Sequence, residues 1–146
     1  MENFVLYNPV KLHFGAGVVK KLGQAAAEFG KKALLVYGKG SVKYNGSYQQ
    51  TIESLKGAGI EVVDFDGIKP NPVIEDVDAA AALGREHNVD MIVAVGGGSV
   101  IDSAKIIAIT IPVNHSGWEF LDGNKKPGQS FASRLKIRPS RTGRSA

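Results

Sequence analysis

Apolar runs of strand length, alternating with stretches of helical period, constrain this chain more than any other feature, because they are the pattern of a parallel α/β sheet. Residues 10–14 open the series as a strand, and residues 33–37, 60–65 and 91–95 follow. The runs at 33–37 and 91–95 are nearly continuous in apolar residues, as expected for strands covered on both faces. Between the strands, residues 18–29, 48–56, 74–86 and 100–109 carry apolar or alanine positions three and four apart, which predicts four helices. Gly30, Gly57 and Gly59 stand where helices should end, and Pro72 stands just before one should begin. Residues 1–125 therefore read as one α/β domain. Residues 126–146 show neither period and are basic, serine-rich and broken by proline, so they read as an unstructured tail.

Charge and composition exclude several function classes. The formal net charge of +4 would suggest a polyanion partner, but residues 1–122 hold eleven Lys and Arg against fourteen Asp and Glu. The whole positive excess lies beyond residue 122, in seven basic residues with no acid among them. The body of the chain thus has no nucleic-acid signature. There is no cysteine, which removes disulfides, thiolate metal sites and cysteine nucleophiles. The longest greasy stretch, residues 106–113, is far short of the roughly 20 residues that span a bilayer, so a soluble cytoplasmic protein with no membrane partner is expected.

The strongest chemical signal is Gly96-Gly97-Gly98-Ser99, placed directly between the strand at 91–95 and a helix. Glycines there let a backbone approach a ligand without a Cβ in the way, and the helix N-terminus offers unpaired N–H groups to a phosphate. A tight turn that only folds the helix back onto its strand is the structural alternative. The spacing is not the usual Rossmann fingerprint, since Ile101 stands where its third glycine would be. A second glycine turn, Gly38-Lys39-Gly40-Ser41, also follows a strand, and the two can converge at the sheet's carboxyl edge, where open α/β sheets bind ligands. Lys39, Ser41 and Lys43 put positive charge and a hydroxyl where an NAD-selective site would carry an acid, which favours a phosphorylated ribose. Asn71, held between Pro70 and Pro72, presents its amide either to a cofactor or substrate or as a helix cap. Asp102 and Lys105 share a helix face and can pair, leaving Asp102 to a ribose hydroxyl, the nicotinamide end or a capping role. His13, His87 and His115 form no metal-ligating helical pair, and no hydrolase triad is legible.

Taken in order and spacing, these residues resemble the iron-containing (group III) alcohol dehydrogenases, in particular their butanol-dehydrogenase-like branch. The likeness rests on Asn8-Pro9, Phe14-Gly15-Ala16-Gly17, Tyr37-Gly38-Lys39-Gly40-Ser41-Val42-Lys43, Lys69-Pro70-Asn71-Pro72, Trp118-Glu119-Phe120-Leu121 and, most specifically, the ten residues from Gly96 to Lys105. It implies a Rossmann-like parallel sheet with flanking helices that binds NADP or NAD through Gly38, Lys39, Gly40, Ser41, Asn71, Gly96, Gly97, Gly98, Ser99 and Asp102. In the family a C-terminal helical domain holds the iron, zinc or similar divalent metal, and hydride passes between NAD(P)H and a short-chain alcohol or aldehyde. Members are often homo-oligomers. On this resemblance the chain is expected to lack that metal domain, to carry no catalytic or metal-ligating residue, and to bind cofactor at most. Its tail reads as the product of a truncated, frameshifted or otherwise disrupted longer gene. The competing expectation from another class is a non-catalytic nucleotide- or polyanion-binding module that uses the basic tail.

Overall fold

The computed structural model describes residues 3, 5, 10–38, 41–126 and 132–137. A 3-10 turn, Val18–Lys21, leads into α1 (Leu22–Ala27) and β1 (Lys32–Gly38). Two helices, α2 (Ser41–Tyr44) and α3 (Ser47–Gly57), precede β2 (Glu61–Ile68), and α4 (Ile74–Glu86) precedes β3 (Met91–Val95). Then come α5 (Gly98–Thr110), α6 (Trp118–Leu121) and β4 (Ala132–Ile137). The strands form one sheet in the order β2-β1-β3-β4, and every neighbouring pair is parallel.

Alternation of side chains along the central strands explains why their sequences are apolar throughout. Leu34 and Val36 of β1, with Ile92 and Ala94 of β3, face a core closed by Val77, Ala80 and Ala81 of α4 and by Val100, Ala104 and Ile107 of α5. Their neighbours Ala33, Leu35, Tyr37, Met91, Val93 and Val95 point the other way, into a second core with Leu22 and Ala26 of α1, Val42 of α2 and Leu55 of α3. Both faces of the central strands β1 and β3 are thereby removed from water, which is the condition that makes a parallel sheet stable.

Polar side chains fix the corners. Asp90 Oδ2 accepts hydrogen bonds from the backbone N–H groups of Lys31 (2.8 Å) and Lys32 (3.0 Å), tying the start of β1 to that of β3. Arg85 reaches from the last turn of α4 to donate to the carbonyls of Thr110 and Val113, each at 3.0 Å, and so closes the carboxyl end of α5. Asp78 accepts from Ser116 Oγ (2.5 Å) and the Gly117 N–H (2.8 Å), which holds the entry to α6 against α4.

Two expectations are corrected. Residues 10–14 are not a strand: Val10, Leu12 and Phe14 lie in irregular backbone with their side chains exposed. Alternation is a local pattern and makes a strand only where a neighbouring edge is met, and among the described residues these five pair with no strand. Conversely, part of the supposed tail is ordered, because Ala132–Ile137 pairs with β3 in the register Met91↔Ala132, Val93↔Leu135, Ala94↔Lys136 and Val95↔Ile137. A ladder is made by backbone groups, so interleaved basic residues did not prevent it. The remaining tail residues, 127–131 and 138–146, lie outside the described residues. Among the described residues no helix is long and apolar enough to cross a membrane.

Candidate dinucleotide site

Strand order alone marks where a ligand would sit. The connection leaving β1 runs through α2 and α3 on one face, whereas the one leaving β3 runs through α5 on the other. The sheet therefore has its topological switch point between β1 and β3, and open α/β sheets bind ligands at the carboxyl edge there. The turns after both strands, Gly38 onward and Gly96–Ser99, are the two glycine turns read from the sequence.

Direct contacts bring a third turn alongside them. Gly38 pairs with Ile68 at the end of β2, and a Cβ at Gly38 would stand 3.4 Å from Val100 Cγ2 in the first turn of α5. The Ser99 hydroxyl donates to the Pro70 carbonyl at 2.7 Å, joining the glycine turn to Lys69-Pro70-Asn71-Pro72. Lys69 pairs with Asp76 at 3.7 Å, and the second carboxylate oxygen of Asp76 is buried with no hydrogen-bond partner among the described residues. Asn71 does not cap α4, whose N-cap is Val73 with no side-chain capping bond; Asn71 is exposed and its amide makes no hydrogen bond among the described residues. The capping alternative is thereby removed.

The three glycines divide by role. Gly96 is buried, has φ +153°, and a Cβ there would come within 2.8 Å of Val100 Cγ2, so its small size serves the turn itself. Gly97 and Gly98 are exposed, and nothing stands within 4 Å of where their Cβ atoms would be. No packing among the described residues demands glycine at either place. Gly97 is the N-cap of the thirteen-residue α5 without a side-chain cap, so the first-turn N–H groups carry their partial positive charge outward at this edge. We expect Gly96→Ala to destabilise the fold by about 1–3 kcal/mol through the left-handed φ and the collision with Val100. Urea denaturation measures this, and an unchanged midpoint would mean that the turn relaxes freely.

Asp102 and Lys105 pair at 3.1 Å on the exposed side of α5, as their spacing predicts. They also border a cleft of about 360 Å³ between α4 and α5, whose other walls include Val73, Ile74, Val77, Ile106 and Leu121. Of the first loop, Lys39 and Gly40 lie outside the described residues, as does the side chain of Ser41, whose backbone opens α2. Lys43 is engaged internally: its ammonium lies 5.5 Å and 5.4 Å from the ring centroids of Tyr37 and Tyr48.

Sequence reading missed the acid and phenols beneath this loop. Tyr48 donates its hydroxyl to Asp64 Oδ2 at 2.5 Å, a bond that, with burial, raises its pKa above the ordinary tyrosine value. Burial, helped by the charge of Asp64, raises that of Tyr37 further. Opposite Tyr37, β2 carries two residues, Asp66 and Gly67, in a bulge that ends regular pairing where the loop begins. Both phenols hold their protons more tightly in the fold than in the unfolded chain. Their contribution to stability is thus complete below about pH 10 and is lost as pH rises through the higher folded-state values. A Tyr37→Phe, Tyr48→Phe double variant should therefore lose less of its own stability between pH 8 and 11 than the parent does, read from urea midpoints. Equal losses would show that the pair has no such linkage.

Among the described residues no three His, Cys, Asp or Glu side chains converge in a way that could hold a metal ion. His115 is engaged locally, with Nδ1 2.9 Å from the Ser116 carbonyl and its ring against Phe120.

Fold and edge together define a doubly wound α/β domain with a glycine-rich turn at its switch point. The chain belongs to the iron-containing alcohol dehydrogenase family, whose sequence profile matches residues 9–137. That match takes in β4 and passes the boundary near residue 125 suggested by the sequence pattern. Among relatives, the probable NADH-dependent butanol dehydrogenase 1 of Bacillus subtilis (strain 168) is 42% identical over 127 residues, 87% of this chain and 33% of its own length. The NADPH-dependent aldehyde reductase YqhD of Escherichia coli (strain K12) is 39% identical over 128 residues, 86% of this chain and 32% of its own. The crystal structure of NADH-dependent butanol dehydrogenase A from Thermotoga maritima superposes with a TM-score of 0.87 at 41% identity, covering 90% of this chain and 33% of that one. The chain thus spans about a third of the length of the relatives it matches.

Proposed function

We propose that this chain supplies the dinucleotide-binding part of an NAD(P)-dependent oxidoreductase acting on short-chain alcohols or aldehydes. The observation that carries the reading is the contrast within the glycine turn: Gly96 is filled against by the chain itself, whereas the space at Gly97 and Gly98 is left open in front of a helix N-terminus. A pyrophosphate matches that space in charge and in its need for close backbone approach. Gly97, Gly98 and the N–H groups of the first turn of α5 would hold it, with the Gly38-Lys39-Gly40-Ser41 loop and Asn71 flanking. Asp102, its charge offset by Lys105, would accept from a hydroxyl or amide of the cofactor. When bound, the nicotinamide ring donates or accepts the hydride exchanged with the substrate carbon. The metal implied by the family finds no matching ligand set among the described residues, so no step is assigned to it here.

Calorimetric titration of the purified chain with NADH and with NADPH tests the reading. Saturable binding of either at one site per chain is expected, and the ratio of the two affinities reports the effect of Lys39, Ser41 and Lys43 against Asp64 and Asp66. A folded sample that binds neither would overturn it.

A further inference from the structure

Ser99 sits where a hydroxyl would be expected to meet the phosphates, at the second residue of α5. Its proton is already committed, because Ser99 Oγ donates to the Pro70 carbonyl at 2.7 Å. A serine hydroxyl has one proton to give, and a phosphate oxygen at neutral pH chiefly accepts, so Ser99 cannot serve both at once. We infer that Ser99 is a positioning residue: it holds the Pro-Asn-Pro turn so that the amide of Asn71 faces a dinucleotide seated at Gly97 and Gly98. This inference rests on the reading of the cofactor site given above.

The geometry of the turn supports such a role. Pro70 and Pro72 fix two φ angles and offer no N–H, so the turn has few ways to move and few internal bonds to hold it. It is anchored instead from outside at two points. One is the Ser99 bond to Pro70, and the other is the ion pair from Lys69 to Asp76 in the first turn of α4. Asn71, between the prolines, makes no hydrogen bond among the described residues and is exposed. An amide that is rigidly carried yet unpartnered is suited to an external acceptor or donor. The first anchor crosses from the start of α5 to a turn 29 residues away, so it sets the distance between Asn71 and the glycine turn directly.

The test is a double-mutant cycle on the full chain, read by calorimetry with the dinucleotide that the parent binds more tightly and, separately, with inorganic pyrophosphate. Ser99→Ala should weaken the dinucleotide about tenfold, the equivalent of one lost hydrogen bond, and leave pyrophosphate within about twofold. In an Asn71→Ala background the same substitution should have no further effect, since nothing remains to be positioned. Ser99→Thr, which keeps the hydroxyl, should bind as the parent does. Equal weakening of pyrophosphate and dinucleotide would instead make Ser99 a direct phosphate contact and overturn the inference. Additive losses in the double variant, or a Ser99→Thr that behaves as Ser99→Ala, would overturn it as well. A parent chain that binds no dinucleotide fails the underlying reading rather than this one, and the two failures are told apart before any variant is made.

Discussion

Gly97→Asp is expected to lose dinucleotide binding by at least about a hundredfold while the fold keeps its full stability. Two effects of the same substitution run in opposite directions. Aspartate is among the preferred N-cap residues, and Gly97 is the uncapped N-cap of α5 with φ −85° and ψ −166°, a conformation that any residue adopts. Nothing lies within 4 Å of its Cβ position, so the side chain meets no obstacle. The folded chain should therefore be unchanged or more stable by a few tenths of a kcal/mol. The carboxylate, however, occupies the space proposed for the pyrophosphate, takes its N–H groups and opposes its charge. Removing one such charge-assisted contact costs about 1.5–3 kcal/mol, and repulsion adds to it. Thermal melting and calorimetry on the same sample decide the matter. Binding preserved in the variant would place the phosphates elsewhere, and a collapsed melting temperature would mean that Gly97 is structural after all.

A large loss of stability is also expected at a glycine far from this edge. Gly23 lies buried in α1 with its N–H donating to Ser54 Oγ at 2.9 Å, and Ser54 Oγ in turn donates to the Lys20 carbonyl at 3.1 Å. A Cβ at Gly23 would fall 2.0 Å from the Ser54 carbonyl oxygen and 2.8 Å from Ala58 Cβ. Backbone cannot step aside as a flexible side chain can. In an open helix, glycine to alanine gains roughly 1 kcal/mol of helix propensity. Here α1 would have to move off α3, and overpacking of this kind costs about 1–3 kcal/mol or more, in addition to the strained Ser54 bridge. The net expectation for Gly23→Ala is a loss of about 2 kcal/mol by urea denaturation. Gly57→Ala is the control, because it ends α3 with open space at its Cβ position and should be neutral or slightly stabilising. Similar behaviour of the two variants would show that α1 is not docked on α3 in solution as it is here.

Which parts of this architecture could be read in advance follows from the range of the interactions that make them. β3 and α4 coincide with the runs at 91–95 and 74–86, because a continuous apolar run and a helical face bounded by local signals are both written in neighbouring residues. The glycine turn is legible for the same reason, and so is the pairing of Asp102 with Lys105. β4 was not legible: Arg134 and Lys136 interrupt its apolar positions, and what orders its backbone is the open edge of β3, some forty residues earlier. Residues 10–14 failed in the opposite sense, having a strand's alternation while pairing with no strand among the described residues. Nothing in the sequence pairs Tyr48 with Asp64 or Ser99 with Pro70, since both bonds exist only once the chain has crossed from one layer to another. The site thus divides into components marked locally and a hydrogen-bonded frame that only the tertiary structure supplies.

The parallel pairing of all four strands carries a kinetic consequence. No hairpin joins the described strands, and β1 finds its second neighbour only when residue 33 meets residue 91. Every ladder closes a loop of about thirty residues or more, so ordering entropy must be spent before any strand is rewarded. Such topologies sit toward the slow, high-contact-order end of single-domain folding. Until residues 91–95 arrive, the inner edge of β1 stands bare with five apolar side chains beside it, an open template for pairing with another copy of the chain during that interval.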